Sequence, residues 1–247
     1  MTVTCVLAPN PGPMTLEGTN TWVLAAPGGA SVVLDCGPDD AQHLGAVVEA
    51  ARAGGREIGR VLVTHHHLDH AQGIGTLTAM TGVELTPVAD GDVVRVDGLR
   101  LHVLGTPGHS ADSVTFLDVD AGCLYTGDTI LGRGTTVVEH PDGRLADYLA
   151  SLERLAGVDA RRIRPGHGPE VTDVAEWISY YREHRARRLD EVLDAVRAGA
   201  RTVQAVVEAV YADVDRRVWG AARLSVAAQL EYLLERGRLP AGSLDGT

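Results

Sequence analysis

The sequence predicts an α/β fold in which two β-sheets pack face to face with helices outside, followed by a small helical domain. Three observations carry that expectation. Short runs rich in β-branched and aromatic residues crowd residues 20–130, each closed by Gly, Pro or Asp. They come in clusters with occasional helices, which favours packed sheets over a regular βαβ winding. After "RPGHGPE" the pattern changes, and apolar residues recur at helical spacing almost to the end of the chain.

The expected strands are "NTWVLAA", "SVVLDCG", "RVLVTH", "LRLHVLGTPGH", "SVTFLDV" and "CLYTGD". Between the second and third lies "DDAQHLGAVVEAARAGG", whose Leu44, Val47, Val48 and Ala51 fall on one helical face before a Gly-Gly stop. "LADYLASLERLAG" repeats that logic at Leu145, Leu149, Leu152 and Leu155. We therefore expect a catalytic domain over residues 1–171 and a helical domain over 172–247. In the latter, Thr172 or Asp173 caps a helix with Val174, Trp177, Ile178, Tyr181, Leu189, Val192 and Val196 on its inner face. Thr202 starts a second helix, and "RRVWGAARLSVAAQLEYLLERG" forms a third. A short wing near "RLPAGSL" would make the trio winged-helix-like in outline.

All 22 basic residues are Arg, which we read as compositional bias, against 33 acidic residues and a net charge of −11. The excess acid sits in residues 1–171, with 21 Asp and Glu against 11 Arg, whereas residues 172–247 carry 12 against 11. Sequence-independent binding to duplex DNA needs the opposite sign over a broad face, so a duplex DNA clamp is excluded. Three separated cysteines, Cys5, Cys36 and Cys123, suit reduced thiols better than a disulfide framework. The first residues read as no secretory signal, and no run approaches the roughly 18 to 20 apolar residues of a membrane span. A soluble cytoplasmic protein is the expectation.

The functional question concentrates in "VTHHHLDHAQG", residues 63–73. "RVLVT" is apolar enough for a buried strand, so the histidines leave it on a loop. In an extended segment residues two apart point the same way, which lets His65 and His67 converge while His66 turns away. Asp69 and His70 follow as the chain bends into a helix and face a second point nearby. Imidazole and carboxylate are the donors expected for zinc in a site that keeps a position open for water. His109 in "GTPGHS", Asp128 in "YTGD" and His167 in "RPGHG" stand at further strand ends beside glycines, which let the backbone turn sharply. One such histidine alone would be solvated loop; seven residues in four such settings form a pattern.

"THHHLDH", "GTPGHS", "TGD" and "PGHG", in that order, resemble the ligand motifs of the metallo-β-lactamase-fold hydrolases over residues of roughly 1–170. The resemblance implies a four-layer αβ/βα sandwich with a dinuclear centre along one edge. It implies that His65, His67 and His109 hold one metal, Asp69, His70 and His167 the other, and that Asp128 bridges them. Asp35 would support the ligands from behind. The metals implied are two Zn²⁺, with iron or manganese as alternatives. "NPGPMTLEGTNTWVL", "TGDTILGRGTTVV" and the helical tail further resemble the lactamase-beta-like protein two family. That family includes a single-strand endoribonuclease of animal mitochondria, and fungal thioesterases that release polyketides stand close to it. One departure is "DHAQG", where the family has Gly-Gly shortly after the histidine.

The resemblance implies hydrolysis by a hydroxide bridging the two metals, formed from a water that ionises near neutral pH rather than at about 15.7 as in bulk. Asp69 and Asp128 would orient it and handle protons. Phosphodiester cleavage in single-stranded RNA is the leading expectation, with Arg133, His140 and Tyr148, and also Trp22, as candidate substrate contacts. Thioester hydrolysis is the alternative. A β-lactamase is disfavoured because Asp128 stands where those enzymes place Cys or Ser, and iron-dependent oxidative chemistry is the remaining class. His43, His102 and His184 read as structural or solvated, and Trp177, Tyr181 and Trp219 as packing. A homodimer is the expected assembly, with no membrane partner.

Overall fold

The computed structural model describes residues 2–240 and 242–244. The chain forms two compact units that interleave along the sequence. Met1–Thr106, Asp112–Gly134 and Asp159–Val174 make the first; Pro107–Ala111, Thr135–Val158 and Ala175–Thr247 make the second.

The first unit contains both sheets. Strands β1 (Thr2–Leu7), β2 (Asn20–Ala25), β3 (Ala30–Leu34) and β4 (Glu57–Leu62) form one, in that order. Its first two pairings are antiparallel, and β3 pairs β4 in parallel. A parallel pair needs a crossover, supplied by helix α1 (Ala41–Arg52), whose start is capped by the Asp40 carboxylate accepting from His43 N at 2.8 Å. Strands β5 (Val93–Val96), β6 (Leu99–Gly105), β7 (Val114–Asp118), β8 (Cys123–Gly127) and β9 (Arg162–Pro165) form the other sheet, with only the β8–β9 pair parallel.

Alternation along the strands divides the apolar residues between two cores. Trp22, Leu24, Val32 and Leu34 face the second sheet and pack with Leu101, Val103, Phe116 and Tyr125. Val23 and Val33 point the other way, under Leu44, Val47 and Ala51 of α1 and Leu77 of helix α3 (Ile74–Thr81). The sandwich expected from clustered strands is what forms.

Three strands were not foreseen, each for a physical reason. β1 is mostly exposed and β5 has four residues. β9, "RIRP", buries only Ile163 and Pro165 between two half-buried arginines: Arg164 lies 5.4 Å from the Trp22 ring and 5.8 Å from Tyr125, and both Arg162 and Arg164 pair with Glu170. Elsewhere the boundaries move. "RVLVTH" starts as a strand at Glu57 and stops at Leu62, and "LRLHVLGTPGH" stops at Gly105, so His65 and His109 stand on loops just past strand ends.

In the second unit, helix α4 (Leu145–Ala156) buries Tyr148 at a position the leucine pattern had assigned to Leu149. Helices α5 (Val174–Arg197), α6 (Val203–Val210) and α7 (Trp219–Glu235) follow, and Thr202 caps α6 through Ala205 N at 3.1 Å. Tyr181 is fully buried, as its spacing implies, whereas Trp177 and Trp219 are half-buried. Among the described residues of 238–244 no strand forms where a wing was expected; Ala241 lies outside them. No helix among the described residues is long and apolar enough to cross a membrane.

Candidate metal centre

The centre is built from the ends of β3, β4, β8 and β9. Past β3 the chain reaches Asp35, which adopts a positive φ of 55°, unusual for a residue with a side chain, and is anchored by its N–H donating to Leu62 O at 2.9 Å. Its carboxylate then serves three donors: Thr64 N at 2.7 Å, Thr64 Oγ1 at 2.9 Å and His70 Nδ1 at 3.0 Å. One buried carboxylate thus fixes both the loop leaving β4 and a ring on helix α2 (Leu68–Ala71).

The hydrogen bonds set how each imidazole presents itself. His70 Nδ1 must donate to Asp35, so Nε2 is its ligand face. Because the Thr64 hydroxyl donates to Asp35, it accepts from His65 Nδ1 at 3.0 Å, which turns His65 Nε2 toward His67 Nδ1, 2.9 Å away. His167 Nδ1 donates to Gly18 O at 3.1 Å, and in the second unit His109 Nδ1 donates to Val137 O at 2.8 Å. Exposed His66 turns aside and pairs with Asp112 at 2.9 Å, as its alternation implies.

Within the first unit, His65, His70 and Asp128 form one group of close donor atoms, and Asp69, His70 and His167 another. His70 Nε2 lies 3.4 Å from Asp69 Oδ2 and 3.4 Å from Asp128 Oδ1; His167 Nε2 lies 3.1 Å from Asp69 Oδ2 and 3.3 Å from Asp128 Oδ2. Four donors about 2.0–2.1 Å from a zinc ion at tetrahedral angles stand about 3.3 Å apart. His70 Nε2 is also buried without a hydrogen bond, a cost that ligation to a cation removes. The residues present therefore fit a metal.

Electrostatics agree. Burial opposes charge on His70, yet Asp128 and Asp35 outweigh it and hold its pKa well above the ordinary imidazole value. His167 is likewise opposed by burial and lifted to about 10, mainly by Asp128. Burial would raise Asp128, but His167 and His70 hold it well below the usual carboxylate range, and Asp69 is lowered against its own burial chiefly by His167. Asp69 keeps 28% of its side-chain surface exposed while Asp128 keeps 11% and the two rings at most 1%, so solvent reaches the centre beside Asp69.

Gly166 makes this packing feasible. A Cβ there would fall 2.5 Å from Asp128 Oδ1 and 2.6 Å from His70 Cε1. Gly127, at φ 48°, is excluded from bearing a side chain by Thr64 Oγ1, 2.2 Å from its would-be Cβ.

The expected substrate contacts fare differently. Tyr148 is fully buried, with the Arg185 guanidinium 4.9 Å from its ring, and Trp22 is buried in the sandwich core; neither offers a stacking face. Arg133 is exposed but pairs with Glu17 at 2.7 Å, and half-buried His140 lies 3.9 Å from Glu231. Sequence reasoning gave no role to Gly18, Thr19, Asn20 or Thr64, all of which contact ligands or their loops. The signal was available: "GTNT" puts polar residues directly before the apolar run "WVLAA".

The pattern of the metallo-beta-lactamase superfamily matches residues 14–90 and 82–167, and that of the beta-lactamase associated winged helix domain matches 202–241. The chain is 35% identical over 255 residues to a beta-lactamase-like protein 2 homolog of Caenorhabditis elegans, covering 95% of this chain and 85% of that one. It is 32% identical over 232 residues to an atrochrysone carboxyl ACP thioesterase of Aspergillus fumigatus, covering 83% and 72%. A beta-lactamase domain protein of Burkholderia ambifaria shares the fold at a TM-score of 0.81 and 22% identity, over 96% of this chain and 87% of that one. Motif order, fold and kinship together place the chain in the metallo-beta-lactamase superfamily, as a relative of beta-lactamase-like protein 2 with a C-terminal winged-helix domain.

Proposed function

We propose that this superfamily hydrolase works with two zinc ions and cleaves acyl thioesters. The observation that carries the reading is the ring of donor atoms at cation spacing around His70 Nε2, closed in by Gly166. His65 and His67 would hold one ion and Asp69, His70 and His167 the other, with Asp128 serving both. Bound there, the ions would lower the pKa of water and polarise the substrate carbonyl.

The chain's own residues supply the rest. Asp35 and Thr64 keep the imidazoles oriented. Asp128, enclosed and held ionised, fixes the separation of the two halves. Asp69, the carboxylate open to solvent, takes the proton as water oxygen bonds to the carbonyl carbon. The carbon–sulfur bond then breaks, and Asp69 returns the proton to the departing sulfur, giving a carboxylic acid and a thiol. A thiol with a pKa of about 8.5 is already a good leaving group, so the one proton carried by Asp69 suffices and no second acid is needed. That suits a centre whose gathered titratable groups are all ligand-type.

The similarity to a carrier-protein thioesterase supports this choice. Cleavage of single-stranded RNA is the second reading, favoured by Arg133: a surface ion pair of its kind is worth at most about 1 kcal/mol, so Glu17 yields easily to a phosphate. The loss of Tyr148 and Trp22 as stacking surfaces weighs against it. Zinc-loaded protein should hydrolyse acyl-coenzyme A thioesters, and Asp128→Ala should lower the rate on the order of 10³-fold or more. Cleavage of labelled single-stranded RNA with no thioester turnover would replace the first reading by the second.

A further inference from the structure

Gly18, Thr19 and Asn20 lie in a segment that supplies none of the seven ligand-type residues, yet they grip three parts of one half of the centre. We propose that this tripeptide is the positioning element for the cation held by Asp69, His70 and His167, and sets the occupancy of that position without setting that of the position at His65 and His67. The proposal rests on the dinuclear reading above.

Each residue makes a different contact. Gly18 O accepts from His167 Nδ1 at 3.1 Å, which commits that ring to presenting Nε2. Only glycine can put the carbonyl there, because at φ 142° a Cβ would stand 2.1 Å from Ala8 O. Thr19 is fully buried, and its hydroxyl accepts from Asn10 Nδ2 at 2.9 Å. The Thr19 proton is thereby directed to Asp69 Oδ2, 3.3 Å away. The same asparagine fixes the backbone, its Oδ1 accepting from Thr19 N at 2.9 Å.

Asn20 clamps the loop that carries His167. Its two Nδ2 hydrogens go to Pro165 O at 3.1 Å and Gly168 O at 2.9 Å, one on each side of the histidine, while its backbone N–H goes to Gly166 O at 2.7 Å. The side-chain oxygen is not idle, accepting from the Cys5 thiol at 3.4 Å. Three carbonyls of a four-residue loop are thus tied to one asparagine that is 4% exposed. His65, by contrast, is oriented by Thr64 from the other side of the centre. A fault at Asn20 would displace His167 and leave the Thr64–His65 arrangement standing.

The test is zinc titration of Asn20→Ala, Asn20→Asp and Thr19→Val against the natural protein, with bound zinc counted by mass spectrometry and thermal unfolding followed with and without zinc. The natural protein should bind two ions. Asn20→Ala should keep one tightly and weaken the other about 10–100-fold, the usual cost of losing a group that orders a ligand. Asn20→Asp, which sets a carboxylate against two carbonyls, should be at least as severe. Thr19→Val keeps shape, folds with the parent and should weaken the same ion less. The zinc-dependent rise in unfolding temperature should shrink in step, a change that a merely structural strap would not produce. Two ions bound with natural affinity in both Asn20→Ala and Thr19→Val, or equal weakening of both ions, would overturn the proposal. A natural protein that binds a single ion would instead overturn the dinuclear reading, and this proposal with it.

Discussion

Strands β8 and β9 run side by side, and opposite ends of the pair carry two charged clusters of different kinds. Toward their starts, Arg162 and Arg164 share Glu170, and the Arg164 guanidinium lies against Trp22 and Tyr125 while donating to the Tyr125 hydroxyl at 3.1 Å. Beyond their other ends stand Asp128 and His167, joined by Asp35, Asp69 and His70. The first cluster needs no further cation: two fixed guanidinium charges already outnumber the one carboxylate they share. In the second, three carboxylates face groups that are positive only when protonated. A structural ion pair satisfies itself, and a metal centre is recognised by the charge it still needs.

Among substitutions that spare every ligand-type residue, the largest effect should come from filling the space that the second cluster requires. Gly166→Ala adds one methyl group among Asp128 and His70, where atoms already stand 2.5 and 2.6 Å from the new carbon. Either the carboxylate or the ring must move, and either movement breaks the spacing of the donors. Zinc content should fall toward one ion or fewer per chain and hydrolysis by on the order of 10²-fold or more, read by metal analysis and kinetics on the same sample. Full zinc content with full activity would show that the centre tolerates the methyl and that its close packing is incidental.

The same contrast explains what the sequence made legible. The gathering of His65, Asp69, His70, Asp128 and His167 was readable because ligand-type residues stand at strand ends, and the structure brings their donor atoms together. The sandwich was readable from the clustered strands. β9 was not, since a four-residue strand whose alternate positions are half-buried arginines looks like a solvated turn until Trp22 and Tyr125 are in place beside Arg164. Nor were the roles of Asn20 and Thr19: they contact groups about fifty and 150 positions away, and only the fold reveals that reach. Tyr148 failed as a substrate contact for a related reason. An aromatic residue among leucines on a helix can face either way, and here it faces inward under Arg185.

A smaller effect is expected at the first cluster. Glu170→Gln leaves both arginines without their carboxylate, but Glu170 and Arg162 are substantially exposed, so solvent screening limits the loss to about 1 kcal/mol. Burial opposes the charge on Glu170, and Arg164 and Arg162 overcome it, lowering its pKa below the usual value. Its stabilising contribution is therefore fully present above about pH 4.5 and fades as pH falls through the depressed value. Denaturant unfolding at pH 7 should show the loss while zinc content and turnover stay unchanged. A drop in zinc content would mean the two ends of β8 and β9 are energetically coupled.

The smallest effect tests whether carboxylate company, and not burial alone, marks a functional histidine. His184 on α5 is half-buried like many structural histidines, and burial together with Arg185, Arg188 and Arg187 pushes its pKa down to about 4. His167 is more buried and moves the opposite way, to about 10, because its neighbours are acids. A depressed histidine binds fewer protons folded than unfolded, so His184 is neutral in its effect above about pH 6.5 and costs stability as pH falls from there toward 4. Replacing it with Gln should leave the unfolding temperature at pH 7.5 nearly unchanged and raise it slightly at pH 5, relative to the natural protein. The gain stays below a few degrees, since the half-buried ring keeps some contact with solvent. Equal unfolding temperatures for the two proteins at both pH values would show that His184 titrates alike folded and unfolded. Arginine neighbours would then not suffice to hold a half-buried imidazole neutral, and the contrast would rest on the carboxylates around His70 and His167 alone.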